Sequence, residues 1–259
     1  MSRISPISSY SSYSSYTNYG KIASGKAIQS AAAGAAELSM IQKQDSQARG
    51  LEVGANNLAT TKDMLNVADG AASGITDYLQ RIRELAVQAS NTATVSDSDR
   101  EAIQAEVDQL KQGISDIASQ TTFNTKALLN GSNSQFQVAT DSNGNGMRVD
   151  AANMMLEELG IADFDVTGDF NIEDIDKALE KVSSGRSKMG AQSNALEYAY
   201  NYNKNASLNT IGSKSRLEDL DLPQAISDLK KEQLLQEYSM TMQKKRMEDE
   251  AVRMSRLFF

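Results

Sequence analysis

Apolar residues recur at every seventh position along a long stretch of the chain that contains no proline. The two lines of this repeat are Leu51, Leu58, Leu65, Ala72, Leu79 and Ala86, and Gly54, Thr61, Ala68, Ile75, Ile82 and Ala89. Only Gly54 and Thr61 interrupt the apolar seam. The pattern predicts a helix from about Glu37 to Asn91, roughly 80 Å long, that packs against partner helices along its whole length.

Three further helices are predicted downstream from apolar residues at spacings of three and four. The second follows Ser98, which forms a possible capping box with Glu101, and it should turn back against the first. The third runs from about 171 to 209, and the fourth begins after Pro223. Their apolar positions are Ile103, Val107, Leu110, Ile114 and Ile117; Ile175, Val182, Met189 and Leu196; and Ile226, Leu229, Leu234, Tyr238, Met242, Met247 and Met254.

A segment rich in glycine, asparagine and serine separates the second helix from the third. Within it, FQVAT and MRVDA alternate apolar and polar residues, which predicts a small β-hairpin near 134–151. The elements together predict a mainly α fold. We expect an elongated antiparallel helical bundle or coiled coil with a small β-hairpin region.

Composition and charge exclude several classes of function. The chain has no cysteine and no histidine, so it has no disulfide, no Cys/His zinc site and no histidine-based catalytic triad. Its net charge of -8 and its lack of a basic tract argue against a nucleic-acid partner. Membrane insertion is not expected, since no apolar run approaches about 20 residues. No motif indicates a cofactor or an enzyme.

One acidic loop has spacing similar to that of a calcium-binding loop. Its candidate ligands are Asp163, Asp165, Thr167, Asn171 and Asp174, with Gly168 at the turn position. The last position carries an aspartate, which reaches less far than the glutamate that such loops use. We favour the alternative interpretation, in which the loop is an acidic connection that N-caps the third helix.

Several ordered motifs resemble those of the bacterial flagellins. The run from YGKIASGKAIQS to IRELAVQASN is similar to their N-terminal region, as are IQAEVDQLKQGISDIASQTTFNTKALLNGS and FQVAT. The run from IDKALEKVSSGRSKMGAQSNALEYAYNYN to SRLEDLD is similar to their C-terminal region. The resemblance covers roughly 19–222. It implies N- and C-terminal helices packed side by side, without variable outer domains.

The resemblance implies a structural subunit of the bacterial flagellar filament that assembles with copies of itself. Such a protein is extracellular, and it is exported by the flagellar export apparatus, with a secretion chaperone, without a cleavable signal peptide. The implied domains are a terminal, filament-core-like helical region, residues 1–33 and 215–259, partly disordered in the monomer. A rod-shaped helical domain, residues 34–214, lies between them.

The two ends depart from the family pattern and leave alternatives open. A short Ser/Tyr repeat, SSYSSYSSY, stands where flagellins carry an amphipathic helix, and the C-terminal QKKRMEDEAVRMSRLFF is unusually charged. The alternatives are a hook–filament junction or hook-associated protein, and a flagellin-like interaction or adhesion protein that does not polymerise.

The resemblance also indicates an interaction site. Flagellins recognised by Toll-like receptor 5 present an arginine and a leucine on the long helix and a glutamate on the next helix. The matching residues are Arg81, Leu85 and Glu106. Arg81 and Leu85 are four residues apart and share a helical face, so we expect one exposed patch. The alternative interpretation is a subunit-assembly surface that contacts no receptor.

Overall fold

The computed structural model describes residues 18–258, with side chains described to residue 255. The Ser/Tyr repeat, and the expectation that it is disordered, lie outside these residues. The elements in chain order are α1 (residues 18–24), α2 (Ala35–Ala89), α3 (Asp97–Gln120), β1 (Thr122–Phe123), β2 (Lys126–Ala127), β3 (Gln135–Ala139), β4 (Gly146–Asp150), α4 (Leu156–Leu159), α5 (Ile172–Glu218) and α6 (Leu222–Phe258). The predicted mainly α fold with a small hairpin is confirmed.

The chain divides into two compact units, to both of which α2 and α5 contribute. One unit is Gln47–Leu208, and the other joins the residues up to Ser46 to those from Asn209 onward. We call them the central unit and the terminal unit. The predicted terminal region, residues 1–33 and 215–259, was defined by partial disorder in the monomer. Its boundaries stay a prediction.

The predicted heptad seam forms the core of the central unit. Every apolar residue of the two predicted lines is buried, from Leu51 to Ala89, and so is Gly54. The predicted positions of α5, from Ile175 to Leu196, are buried with them. A long helix with an apolar seam needs a second helix to bury that seam. Here α5 of the same chain supplies it.

Helices α2 and α5 of the central unit are antiparallel. Three ion pairs join the two helices. As residue numbers increase along α2, the numbers of their partners in α5 decrease. The pairs are Lys62–Glu197 at 2.9 Å, Asp69–Arg186 at 2.8 Å and Arg83–Asp176 at 2.6 Å.

The tip of the β3–β4 hairpin packs against α2 at two glycines. A Cβ on Gly54 would overlap the carbonyl of Thr140, 2.6 Å from its carbon, and one on Gly50 would lie 2.6 Å from the Cα of Ser142. The same Thr140 carbonyl accepts a 2.6 Å hydrogen bond from Nδ2 of Asn203 in α5. Gly54 interrupts the apolar seam because the hairpin backbone occupies the space that a side chain would need.

Helix α3 begins at Asp97, with Ser96 as its N-cap, rather than after Ser98 as predicted. The hydroxyl of Ser96 accepts from the N–H of Asp99, and the Asp99 carboxylate accepts from the N–H of Ser96 at 3.0 Å. Ser96 and Asp99 have the same three-residue spacing as the predicted pair, so the helix gains this capping box one half-turn earlier.

In the terminal unit, a short backbone bridge ties residues 25–27 to the break between α5 and α6. The N–H of Ala27 donates to the carbonyl of Glu218 at 2.7 Å, and the N–H of Leu220 donates to the carbonyl of Gly25 at 2.9 Å. Glu218 is buried there, and its carboxylate pairs with Lys26 at 2.5 Å. The bridge therefore closes around an ion pair whose carboxylate is buried and whose ammonium is half exposed.

The described side chains of helix α6, up to residue 255, are mostly exposed. Leu229 is buried, whereas the larger apolar side chains described from Leu234 to Met254 are exposed. Within residues 18–258, no helix combines the length and the apolarity that crossing a membrane requires.

Candidate protein-interaction site

An exposed ion-pair cluster joins α2 to α3 in the central unit. The guanidinium of Arg81 lies 2.8 Å from the Glu106 carboxylate on α3 and 3.1 Å from that of Glu84 on its own helix. The side chains of Arg81 and Glu106 are 49% and 46% exposed. The structure thus brings together two of the three predicted interface residues, because the antiparallel return of α3 places Glu106 beside Arg81.

The cluster presents one cation and two carboxylates to solvent. Its two glutamates raise the pKa of Arg81, chiefly through the hydrogen bond to Glu106. All three groups remain accessible, so each pair contributes little to stability. Their charges are available to a partner instead.

Leu85 corrects the expectation of one exposed patch. Its side chain is only 2% exposed and belongs to the core of the central unit. The apolar stripe of α2 includes Ile82, Ala86 and Ala89 around it, so residue 85 faces inward. Arg81 lies at the edge of that stripe. Leu85 is therefore not an exposed apolar residue beside Arg81, and the predicted patch does not include it.

Arg83 lies on the opposite edge of the same helix. It bonds to Asp176 of α5 at 2.6 Å and is 48% exposed, nearly as much as Arg81. Helix α2 therefore lies between α3 and α5, with one half-exposed arginine directed to each neighbour.

The calcium-loop candidates are engaged in local contacts. Asp165 accepts from both the N–H and the hydroxyl of Thr167 at 2.7 Å, which lowers the pKa of its carboxyl. Asn171 accepts from the N–H of Glu173 in the first turn of α5. Asp174 pairs with Lys177, and Asp163 is exposed. Among the described residues, no three acidic side chains converge on a point where a metal ion could bind.

An inversion of polarity along α5 was not predicted from the sequence. Asn203 and Ser207 are buried and donate to backbone carbonyls, whereas Tyr198, Tyr202 and Leu208 are exposed. The available signal was the end of the regular apolar spacing after residue 196.

The arrangement of the helices indicates a class of protein. Within the central unit, parts of a 55-residue helix and a 47-residue helix pack antiparallel, with exposed ion pairs along their edges, which is typical of a helical structural protein.

Comparison with known proteins identifies the family. The bacterial flagellin N-terminal helical region matches residues 10–134, and the bacterial flagellin C-terminal helical region matches residues 172–253. A flagellin of Halalkalibacterium halodurans is 33% identical over 229 residues, 86% of this chain and 84% of that protein. The chain belongs to the bacterial flagellins, a family of structural proteins.

One further relative agrees with this assignment, and one solved structure shares the fold. The flagellar filament 33 kDa core protein of Treponema phagedenis is 32% identical over 239 residues, 83% of this chain and 82% of that protein. The solved structure of a protein from Vibrio parahaemolyticus, described as a flagellar hook-associated protein, has a TM-score of 0.56 at 15% identity. That match covers 68% of this chain and 95% of the other, and it shows a shared fold.

Proposed function

We propose that the chain is a structural subunit of the bacterial flagellar filament, which polymerises with copies of itself through its long helices. Its membership of the flagellins supports this role. The role is structural rather than enzymatic, and the assembled protein is extracellular.

The exposed apolar face of α6 carries the proposal. Leu234, Leu235 and Tyr238 are 65%, 59% and 64% exposed, and they project from one side of the helix. A soluble monomer rarely leaves several large apolar side chains together in water unless they serve an interface. Copies of the same chain are the partner that filament assembly supplies.

Seeded assembly followed by electron microscopy tests this role. The wild-type chain should form long filaments, and the double variant Leu234→Ser/Tyr238→Ser should not. The variant monomer should keep its thermal stability, because exposed positions change unfolding by less than about 0.5 kcal/mol.

A stable monomer or a closed ring under these conditions would favour the alternatives, a junction protein or a flagellin-like protein that does not polymerise. The likeness to the Vibrio protein concerns the fold and gives no separate support to the junction role.

We also propose that the chain leaves the cell through the flagellar export apparatus, with a chaperone covering α6 before export, and without losing a signal peptide. The exposed apolar face of α6 is a surface that such a chaperone would protect from premature assembly. The secreted and cellular chains should have the same mass, and secretion should stop when the export apparatus is disabled. A shorter secreted chain would contradict this route.

As a second binding role, we propose that the cluster around Arg81 binds Toll-like receptor 5 of a host. Support comes from the half-exposed guanidinium and from Glu106 beside it, both of which a partner can reach. Arginine often anchors protein interfaces. Leu85 contributes from beneath the surface by holding α2 in place, not by direct contact.

Arg81→Ala should weaken receptor binding by more than about 1 kcal/mol while leaving the monomer's stability nearly unchanged. Arg83→Ala is a close control, because it removes an arginine of equal exposure from the opposite edge of the same helix. The filament should bind less than the monomer if subunits cover this cluster. Equal binding by wild type and both variants would rule out the role.

A further inference from the structure

Three exposed methionines lie on one line of α6. Met240, Met247 and Met254 follow one another at seven-residue intervals, so they stay within about 40° of one another around the helix. Their side chains are 60%, 65% and 60% exposed. The line carries three exposed thioethers about 10 Å apart, and we call these three methionines the strip.

The beginning of the same line is already a contact between helices. Gln233, seven residues before Met240, donates a 2.7 Å hydrogen bond to the hydroxyl of Tyr19 in α1. Beside it, Glu232 accepts from the side chain of Asn18 at 2.9 Å. The line therefore begins at an exposed polar contact with another helix, and it continues as methionines that no described residue covers.

Other methionines of the chain are placed differently. Met64, Met154 and Met189 are buried in the core of the central unit. Met40 and Met242 are exposed but lie off the strip. Oxidation of methionine follows exposure, so the molecule contains its own buried and exposed controls.

We propose that Met240, Met247 and Met254 form an oxidation site at which hydroperoxides switch off assembly. A thioether sulfur attacks the peroxide, forms a bond to one oxygen as the O–O bond breaks, and becomes a sulfoxide. The sulfur loses two electrons, and the peroxide is reduced to water or an alcohol. The strip then changes from flexible and apolar to polar.

The functional consequence rests on the proposed role in the filament. A sulfoxide oxygen buried between helices without a hydrogen-bond donor would be unfavourable, whereas the same oxygen on the exposed monomer is hydrated. Oxidation should therefore leave the monomer folded and prevent its polymerisation. Enzymatic reduction of the sulfoxides should restore assembly.

The experiment treats purified monomer with dilute hydrogen peroxide. Mass spectrometry of peptides then measures sulfoxide at each methionine, and electron microscopy measures filaments after seeding. We expect sulfoxide on the strip while Met64, Met154 and Met189 stay reduced, together with a loss of filaments from the wild type. Met242 lies beside Tyr238 on the apolar face of α6, so the comparison is made in a Met242→Leu background. In that background the triple variant Met240→Leu/Met247→Leu/Met254→Leu should assemble with or without peroxide.

Each contrary outcome is distinct. If buried methionines oxidise as readily as the strip, or oxidised wild type still assembles, the proposal is overturned. The proposal also fails if peroxide stops assembly of the triple variant. The control Met40→Leu/Met242→Leu keeps the strip, so peroxide should still stop its assembly. If peroxide no longer stops it, the sensitive methionines lie outside the strip. If the untreated triple variant does not assemble, single leucine variants must each reduce the sensitivity. If untreated wild type forms no filament, the filament role itself fails, and the switch with it.

Discussion

The contact between the hairpin and α2 gives the sharpest test of the packing of the central unit. Alanine at Gly54 adds one methyl group where the backbone of Thr140 already lies, with Asn203 Nδ2 only 2.9 Å from the new carbon. Because the obstacle is mainly backbone rather than a flexible side chain, the hairpin tip must move away from the helix.

The expected cost has two parts and one compensation. Overpacking costs about 1–3 kcal/mol. Moving the tip also breaks the bond from Asn203 to the Thr140 carbonyl, and leaving these buried groups unpaired costs about 1–3 kcal/mol. Alanine gains about 1 kcal/mol over glycine in a helix. The net loss should be roughly 1–5 kcal/mol, or a fall in melting temperature of about 2–20 °C.

Gly70 provides the matched control in the same helix. A Cβ there meets no atom within 4 Å, so Gly70→Ala should stabilise the chain by up to about 1 kcal/mol. Urea unfolding followed by far-ultraviolet circular dichroism compares the two variants with wild type. Amide exchange in α2 near residue 54 locates the change within the central unit.

The two glycine variants should shift stability in opposite directions. If Gly54→Ala is as stable as wild type, or gains stability as Gly70→Ala does, the hairpin does not press on α2 and the reason given for the interrupted seam is wrong.

Three further predictions concern the core, pH and the terminal helix. Leu79→Ala should cost about 2–5 kcal/mol in urea unfolding, and a loss below about 1 kcal/mol would place Leu79 outside the core. The pKa of Glu218 is lowered in the folded chain, chiefly by its hydrogen bond to Lys26. The carboxylate therefore contributes fully to the free energy of unfolding above the unfolded pKa of about 4.3, and this contribution is lost as pH falls through the lower folded pKa. Glu218→Gln should reduce the fall in melting temperature between neutral and acid pH. If the variant and the wild type lose the same melting temperature in acid, Glu218 does not stabilise the fold in this way. Hydrogen exchange on the monomer should find 234–258 poorly protected beside 51–120, and strong protection of both would contradict assembly-dependent packing.

The sequence predicted the helical core because burial in a long helix pair follows local spacing. From Leu51 to Ala89, one repeat specifies both the helix and its buried face, and nothing distant is needed to recognise it. The hairpin was predictable for the same reason, since alternation within β3 and β4 is also local. The capping error at Ser98 arose because two serine–acid pairs with equal spacing overlap.

The interaction surfaces depended on contacts that spacing does not reveal. Gly54 was recognisable as an interruption, but its cause lies in Thr140 and Asn203, far along the chain. Leu85 shares a helical face with Arg81, yet one side chain points into the core and the other reaches solvent. A residue at the edge of a wide apolar stripe can be assigned to either environment until the neighbouring helix is in place.

The ion pairs between α2 and α5 have a consequence for the register of the central unit. A heptad seam alone allows two helices to slide by one repeat and still match apolar positions. Sliding α5 by seven residues would set Lys62 against Lys204 instead of Glu197. The same displacement would set Arg83 against Ser183. The pairs thus favour one register of α2 and α5 among those that the apolar seam would accept, so every copy presents the same face of the central unit to its neighbours in the filament.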